Sequence, residues 1–207
     1  MTAAILTRPQ YLAIKKESDL TQEIVKECIT YDPDAGTFTW NSNRPKEHFK
    51  ESIRNPHKIW TSRCAGKPAG WVTSGYLIIG IFGIKARSHR LAWLYMTGEL
   101  PLIIDHIDGD PLNNKYKNIR SVSNIDNHRN TPIPENNTSG VVGVNFLKGR
   151  TENTKPWRAY ISANGKQINL GVYWTFEEAV AARKQAEIDY GFHPNHGQKR
   201  PTIRSRY

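Results

Sequence analysis

Cysteine is scarce: Cys28 and Cys64 are the only two in 207 residues, and no CxxC pair occurs. That excludes a disulfide framework and a zinc site built on thiolates, so a metal would have to sit on oxygen and nitrogen. Long apolar runs are missing too. The longest near the N-terminus, Ala3–Leu6, is too short for a signal peptide, and no run approaches membrane-spanning length. The expectation is a cytoplasmic protein without membrane contact. In such a setting the sequons at Asn136 and Asn137 read as turn residues, not glycosylation sites. Acidic residues run short, with 19 Asp+Glu against 29 Lys+Arg for a formal charge of +10, which points to a polyanionic partner. At 38% hydrophobic and 10% aromatic residues the chain has enough apolar mass to fold, as one large domain or two small ones.

Both halves are cationic. Residues 1–130 carry 18 basic and 13 acidic side chains, and residues 131–207 carry 11 and 6. Within the first half, Arg44, Lys46, Lys50, Arg54, Lys58, Arg63 and Lys67 outnumber Glu47 and Glu51. This segment reads either as a solvated loop or as a phosphate-tracking patch, the latter favoured by the interleaved His48, His57 and Trp60.

Asp19-x-x-Gln22 is a capping box for a first helix carrying Leu20, Ile24, Val25, Cys28 and Ile29 at helical spacing. The turn Asp32–Gly36 leads into a strand at Thr37–Trp40. Ala69–Thr73, Tyr76–Phe82 and Lys85–Arg87 alternate as an antiparallel meander, and Ser88 caps a helix over His89–Met96 closed by Gly98. Then come a strand at Leu102–His106, a turn-rich loop from Asp108 to Lys117, a strand at Asn118–Arg120 and a short helix over 123–130. Beyond Pro132 the texture changes. Val141–Phe146, Trp157–Ala163 and Lys166–Gly171 read as strands, with a type I′ turn at Asn164-Gly165. Thr175-Phe176-Glu177-Glu178 is a capping box for a helix to Tyr190.

The turn-rich loop carries the chemistry. Asp105-His106 ends an apolar run, Asn118 follows twelve residues later, and Asn127 nine after that. With Asp108-Gly109-Asp110, Asn113-Asn114, Asn118-Ile119-Arg120, Asn124–Asn130 and the upstream His89-Arg90-Leu91-Ala92-Trp93, this text resembles the phage and intron-associated HNH homing endonucleases, over about Thr37 to Asn130. The resemblance implies a strand–loop–strand–helix unit of the ββα-metal kind around one divalent cation. It implies His106 as general base, Asn118 as the residue fixing the loop and the orientation of His106, and Asp105 and Asn127 as metal ligands. A neutral imidazole is the side-chain base best matched to physiological pH, and a hard cation can neutralise charge at the reacting phosphate. Adjacent strand residues point to opposite faces, so Asp105 and His106 serve one phosphate only if the strand ends there. The last position departs from the family in being asparagine. A carboxamide oxygen suits Mg²⁺ or Mn²⁺ better than zinc, and His128 becomes the ligand if the register slips by one. His89 is expected to pack against the loop rather than act as a second base, and Arg90, Arg120 and Arg129 to be phosphate or structural contacts.

The C-terminal segment resembles the Apetala-two domain of plant ethylene-response factors, which is also found appended to phage HNH enzymes. The residues concerned are Gly143-Val144, Trp157-x-Ala159-x-Ile161 and Leu170-Gly171 through Glu177-Glu178-Ala179. The resemblance implies three antiparallel strands in the major groove, braced behind by the helix. Period-two parity then turns Trp157, Ala159 and Ile161 toward the helix and Arg158, Tyr160 and Ser162 toward DNA, with Asn145, Gln167 and Asn169 matching on the outer strands. The plant arginines are largely replaced here, so the plant target sequence does not carry over.

Together these readings predict an α+β protein. A nuclease region over 1–131, with its ββα-metal core at about 88–130, precedes a linker at 132–140, an Apetala-two-like domain at 141–193 and a basic tail at 194–207. The expected function is a metal-dependent homing endonuclease acting as a monomer on double-stranded DNA, in the host cytoplasm if phage-encoded. The alternative is a DNA-binding regulator that keeps the HNH fold only as scaffold.

Overall fold

The computed structural model describes residues 6–123, 127, 129–149 and 151–199. Helices and small antiparallel sheets alternate along the chain in an α+β arrangement. The chain divides into two compact units, the first ending at Ser121 and the second beginning at Val122. Among the described residues no helix is long and apolar enough to cross a membrane.

The first unit opens with α1 (Arg8–Ala13) and α2 (Gln22–Cys28), followed by a hairpin of β1 (Ile29–Asp32) and β2 (Thr37–Trp40). The first long helix begins later than the capping-box reading predicts. Thr21, not Asp19, is its N-cap and accepts the Ile24 amide, while Asp19 accepts the Lys15 and Lys16 amides from a 3-10 turn. Ile29 leaves the helix and starts β1, because its β-branched side chain fits an extended backbone paired with Trp40. The basic segment is not a bare loop: it contains α3 (Pro56–Cys64), capped by Asn55.

The meander is formed by β3 (Trp71–Thr73), β4 (Tyr76–Ile81) and β5 (Ile84–Arg87), with β4 central. Ile79, Ile81 and Ala86 are buried on its inner face, against α4 (Ser88–Thr97). Ser88 is the first residue of α4 and not its cap; Arg87 takes that place without a side-chain bond, and Gly98 in the left-handed region closes the helix. Leu91, Ala92 and Leu94 of α4 join Ile24, Val25 and Cys28 of α2 in one apolar core, which continues through Tyr31, Phe38, Ile104 and Ile119. A short ladder of β6 (Ile104–His106) and β7 (Ile119–Ser121) completes the unit.

The second unit contains a three-stranded sheet in the order β10-β9-β8, from β8 (Val144–Phe146), β9 (Trp157–Ala163) and β10 (Lys166–Tyr173). It packs on α5 (Phe176–Asp189) through Val144, Ala159 and Ala179. β8 starts three residues later than expected, because Gly143 turns in the left-handed region with its α-carbon against the Tyr160 carbonyl and Arg183. β10 runs two residues further, past a bulge between Asn169 and Gly171. The Thr175 capping box and the Asn164-Gly165 turn, both with positive φ, stand where the sequence puts them. Residues of the expected linker's approach bond to the far end of the unit: the carbonyls of Arg129 and Thr131 accept the amides of His193 and Gly197. The basic tail beyond Lys199 and the expected helix at 124–126 and 128 lie outside the described residues.

Candidate active site

β6 ends at His106, and the backbone turns immediately: the Gly109 amide donates to the His106 carbonyl at 3.0 Å, and Gly109 takes φ 76°. All three residues of β6 are buried. Asp105 faces its ladder partner Arg120, whose Nη2 donates to Oδ2 at 3.1 Å. His106 instead meets Asn114 and His89. Its Nε2 lies 3.3 Å from Asn114 Oδ1, and its ring stands edge-on to His89 with centroids 4.8 Å apart.

Asn114 is 1% exposed and tied through both side chain and backbone. Its Nδ2 donates to the Leu112 carbonyl at 3.1 Å, which leaves Oδ1 toward His106. Its own carbonyl accepts the Tyr31 hydroxyl at 2.6 Å. Behind it, the β1–β2 turn presses close: a β-carbon on Gly36 would lie 2.6 Å from the Lys115 nitrogen and 2.7 Å from the Asn114 carbonyl carbon. Sequence reading did not single out Asn114 or Tyr31. The Asn113-Asn114 pair was visible, but turn asparagines are common, and only the fold brings one under a histidine eight residues away.

Asn118 braces the loop from its far end. Its Oδ1 accepts the Asp108 amide at 3.1 Å, and its Nδ2 donates to Asp108 Oδ1 at 2.9 Å and to the Asn113 carbonyl at 2.8 Å. Its backbone carbonyl accepts the Ile107 amide at 2.8 Å. Partial burial works to raise the Asp108 pKa, yet hydrogen bonds from Asn113, the Asp110 amide and Asn118 hold it below the usual carboxylate range. Burial lowers the pKa of His106, against the pull of the Asn114 bond and of the Asp108, Asp105 and Asp110 carboxylates. His89 is pushed down to about 3, first by burial and then by the charges of His106, Arg87 and Arg90. Its Nδ1 has no hydrogen-bond partner among the described residues.

Asn127 belongs to the second unit, half-buried, with its amide on the Ser123 carbonyl at 3.0 Å as in a helical turn; His128 lies outside the described residues. Among the described residues no three His, Cys, Asp or Glu side chains gather as a metal cage. The donors proposed from the sequence, one carboxylate and one carboxamide, suit a hard cation that takes its remaining ligands from water and a phosphate, as Mg²⁺ commonly does.

Arg90 donates through Nε to Glu17 and through Nη1 to the carbonyls of Pro101 and Leu102, so it ties the start of α4 to neighbouring segments. In the second unit, strand register puts Asn145 beside Arg158, Asn169 beside Tyr160 and Gln167 beside Ser162, all on the face away from the buried Ala159 and Ile161. Asn145, Ser162, Gln167 and Asn169 are exposed, and the Arg158 guanidinium lies 5.5 Å from the Tyr160 ring centre. Arg129 is half-buried in the same unit.

The basic segment needs one correction. Arg44 is 6% exposed and cannot track phosphate. Its guanidinium sits 5.0–5.7 Å from the ring centres of Trp40, Phe49, Trp60 and Phe82, with Nε donating to His48 Nδ1 at 2.9 Å. His48 is equally buried and passes on to Glu27 at 3.0 Å, whereas Lys46, Lys50, Arg54, Lys58, Arg63 and Lys67 remain exposed. A cation ringed by aromatics is a folding element.

Comparison with known proteins places these observations. The HNH endonuclease family profile matches residues 86–129, which span α4, the His106 loop and β7. Protein 3.8 of Escherichia phage T7 is 39% identical over 86 residues, covering 41% of this chain and 68% of that protein. No solved structure matches the chain. With a family match across the buried His106 loop and a phage relative aligned over two thirds of its own length, the chain belongs to the HNH endonuclease family.

Proposed function

We propose that the protein is a metal-dependent DNA endonuclease of homing type, with His106 as general base. The observation that carries this reading is the contact between His106 Nε2 and Asn114 Oδ1 in the buried pocket. Asn114 Oδ1 faces Nε2, so the proton sits on Nε2 and the Nδ1 lone pair is left to accept one. Burial favours the uncharged ring. His106 Nδ1 then takes the proton of the attacking water, while Asn118 and Asp108 hold the loop that presents the ring. The family resemblance assigns Asp105 and Asn127 as ligands of a divalent cation, Mg²⁺ or Mn²⁺, which when bound would neutralise charge developing on the phosphate. Arg120, already on Asp105, would share that carboxylate. Arg90 and Arg129 reach the phosphate backbone.

The second unit reads the site in the manner of an Apetala-two domain. The face carrying Asn145, Arg158, Tyr160, Ser162, Gln167 and Asn169 is polar, open and opposite the helix, which is the form a sheet needs to enter a major groove. The protein works as a monomer on duplex DNA.

The test is incubation with supercoiled plasmid and with phage genomic DNA, with Mg²⁺ and with EDTA, followed by mapping of the ends. Metal-dependent cutting that is lost in His106→Ala supports the reading. Binding without cutting under every metal condition would make the protein a regulator on an HNH scaffold instead.

A further inference from the structure

We propose that the outer face of the β3–β5 meander is a second duplex-DNA docking surface, continuous with the His106 pocket. The nature of the partner rests on the nuclease reading; the location rests on the following geometry.

Register sorts the meander into two faces. Ile79, Ile81 and Ala86 point into the core, while Trp71, Ile78 and Arg87 form one cross-strand row on the outside, flanked by the pairs Thr73–Tyr76 and Gly80–Lys85. Trp71 is 46% exposed. Its six-membered ring lies across the sheet over Gly80, where a β-carbon would come within 3.5 Å of it. The sheet therefore carries a large apolar plate on its solvent side.

The charge around that plate has one sign. Between Glu51 and Glu99 the chain contains no Asp or Glu and seven Lys or Arg. Lys85 and Arg87 are exposed on the outer face, and among the described residues neither pairs with a carboxylate. An apolar plate beside unpaired cations fits a duplex, whose sugars and base edges offer apolar contact between rows of phosphates. The β4–β5 hairpin is also a two-stranded ribbon, one of the shapes the major groove admits.

A chain of side-chain contacts links the face to the candidate active site. The Arg87 guanidinium stacks 4.4 Å from the Tyr76 ring centre, Tyr76 lies 5.9 Å from His89, and His89 lies 4.8 Å from His106. DNA held on Trp71, Lys85 and Arg87 is thereby led toward the residue proposed to activate water.

The experiment measures binding of a labelled duplex of about 30 bp to the full chain by fluorescence anisotropy, in EDTA, across a salt series. Wild type is compared with Trp71→Ala, Lys85→Glu, Arg87→Ala and the control Lys15→Ala, and cleavage by the wild type is assayed separately in Mg²⁺. Arg87→Ala should flatten the log–log salt slope by about 0.9, the value of one phosphate contact. Lys85→Glu should flatten it at least as much, Trp71→Ala should weaken binding about tenfold, as truncation of an aromatic interface anchor does, and Lys15→Ala should change nothing. Should Trp71→Ala melt early, exposed Lys85→Glu decides on a folded protein. If the face variants match wild type in affinity and slope while the wild type cuts DNA, the docking surface is overturned and the nuclease reading stands. If the wild type binds but never cuts and the face variants lose affinity, the nuclease reading falls and the docking surface stands. A wild type that does not bind duplex DNA overturns both.

Discussion

At the scale of single residues, His106 and Asn114 divide the work of the proposed base. His106→Ala should lower the cleavage rate by about 10²–10⁴ with DNA affinity nearly unchanged, checked by single-turnover cleavage beside anisotropy. Asn114→Ala should lower the rate as well, because the tautomer is no longer held, whereas Tyr31→Phe should weaken the loop by about 1 kcal/mol through one lost hydrogen bond. Equal rates for wild type and Asn114→Ala would remove Asn114 from the mechanism. Arg44→Ala carries a different signature. It should lower the melting temperature markedly and leave the salt slope of DNA binding alone, since the cation lies inside an aromatic cage and not on the surface. The sequence showed Asp105, His106 and Asn118 as a spaced set, since residue type and spacing are written along the chain. It did not show Asn114 under His106 or Arg44 among four rings, because those are meetings of distant segments.

At the scale of elements, local chemistry was legible wherever one segment decided it. The strand Trp157–Ala163, the Asn164-Gly165 turn and the Thr175 box depend on alternation, positive φ and capping within a few residues, and each stands as written. The Asp19 box does not start the helix because Asp19 and Thr21 are both good caps, and Thr21 takes the Ile24 amide while Asp19 takes those of Lys15 and Lys16. α5 and Gly143 offer the corresponding tests. Thr175→Ala removes an N-cap that accepts the Glu178 amide and should destabilise the second unit by about 1 kcal/mol. Gly143→Ala should cost considerably more, since its β-carbon would overlap the Tyr160 carbonyl oxygen at a φ of 77°. Thermal melts of the two variants give the order, and a Gly143→Ala protein as stable as wild type would contradict the packing described.

At the scale of the whole molecule, acid should loosen both units. Burial first lowers His48 and His196 to about 4 and His89 to about 3, from an ordinary 6.5, so below pH 6.5 the unfolded chain binds more protons than the folded one. Stability is therefore complete above about pH 6.5 and falls as the pH drops toward those folded values; a melting temperature flat from pH 8 to 4.5 would exclude this linkage. A fragment ending near Asn130 keeps Asp105, His106, Asn118 and Asn127, and should still cut DNA with metal while losing site preference. It should also cut more slowly, because Arg129, two residues from Asn127, loses the His193 amide. Side-by-side cleavage maps test both points. The snug seat of the β1–β2 turn against Asn114 has a historical consequence as well. The family match begins at residue 86, yet the floor of the histidine pocket comes from Tyr31 and Gly36, about fifty residues upstream. A recombination event carrying only the matched segment into another gene would deliver the histidine without its floor, so the structural unit around His106 reaches back at least to β1.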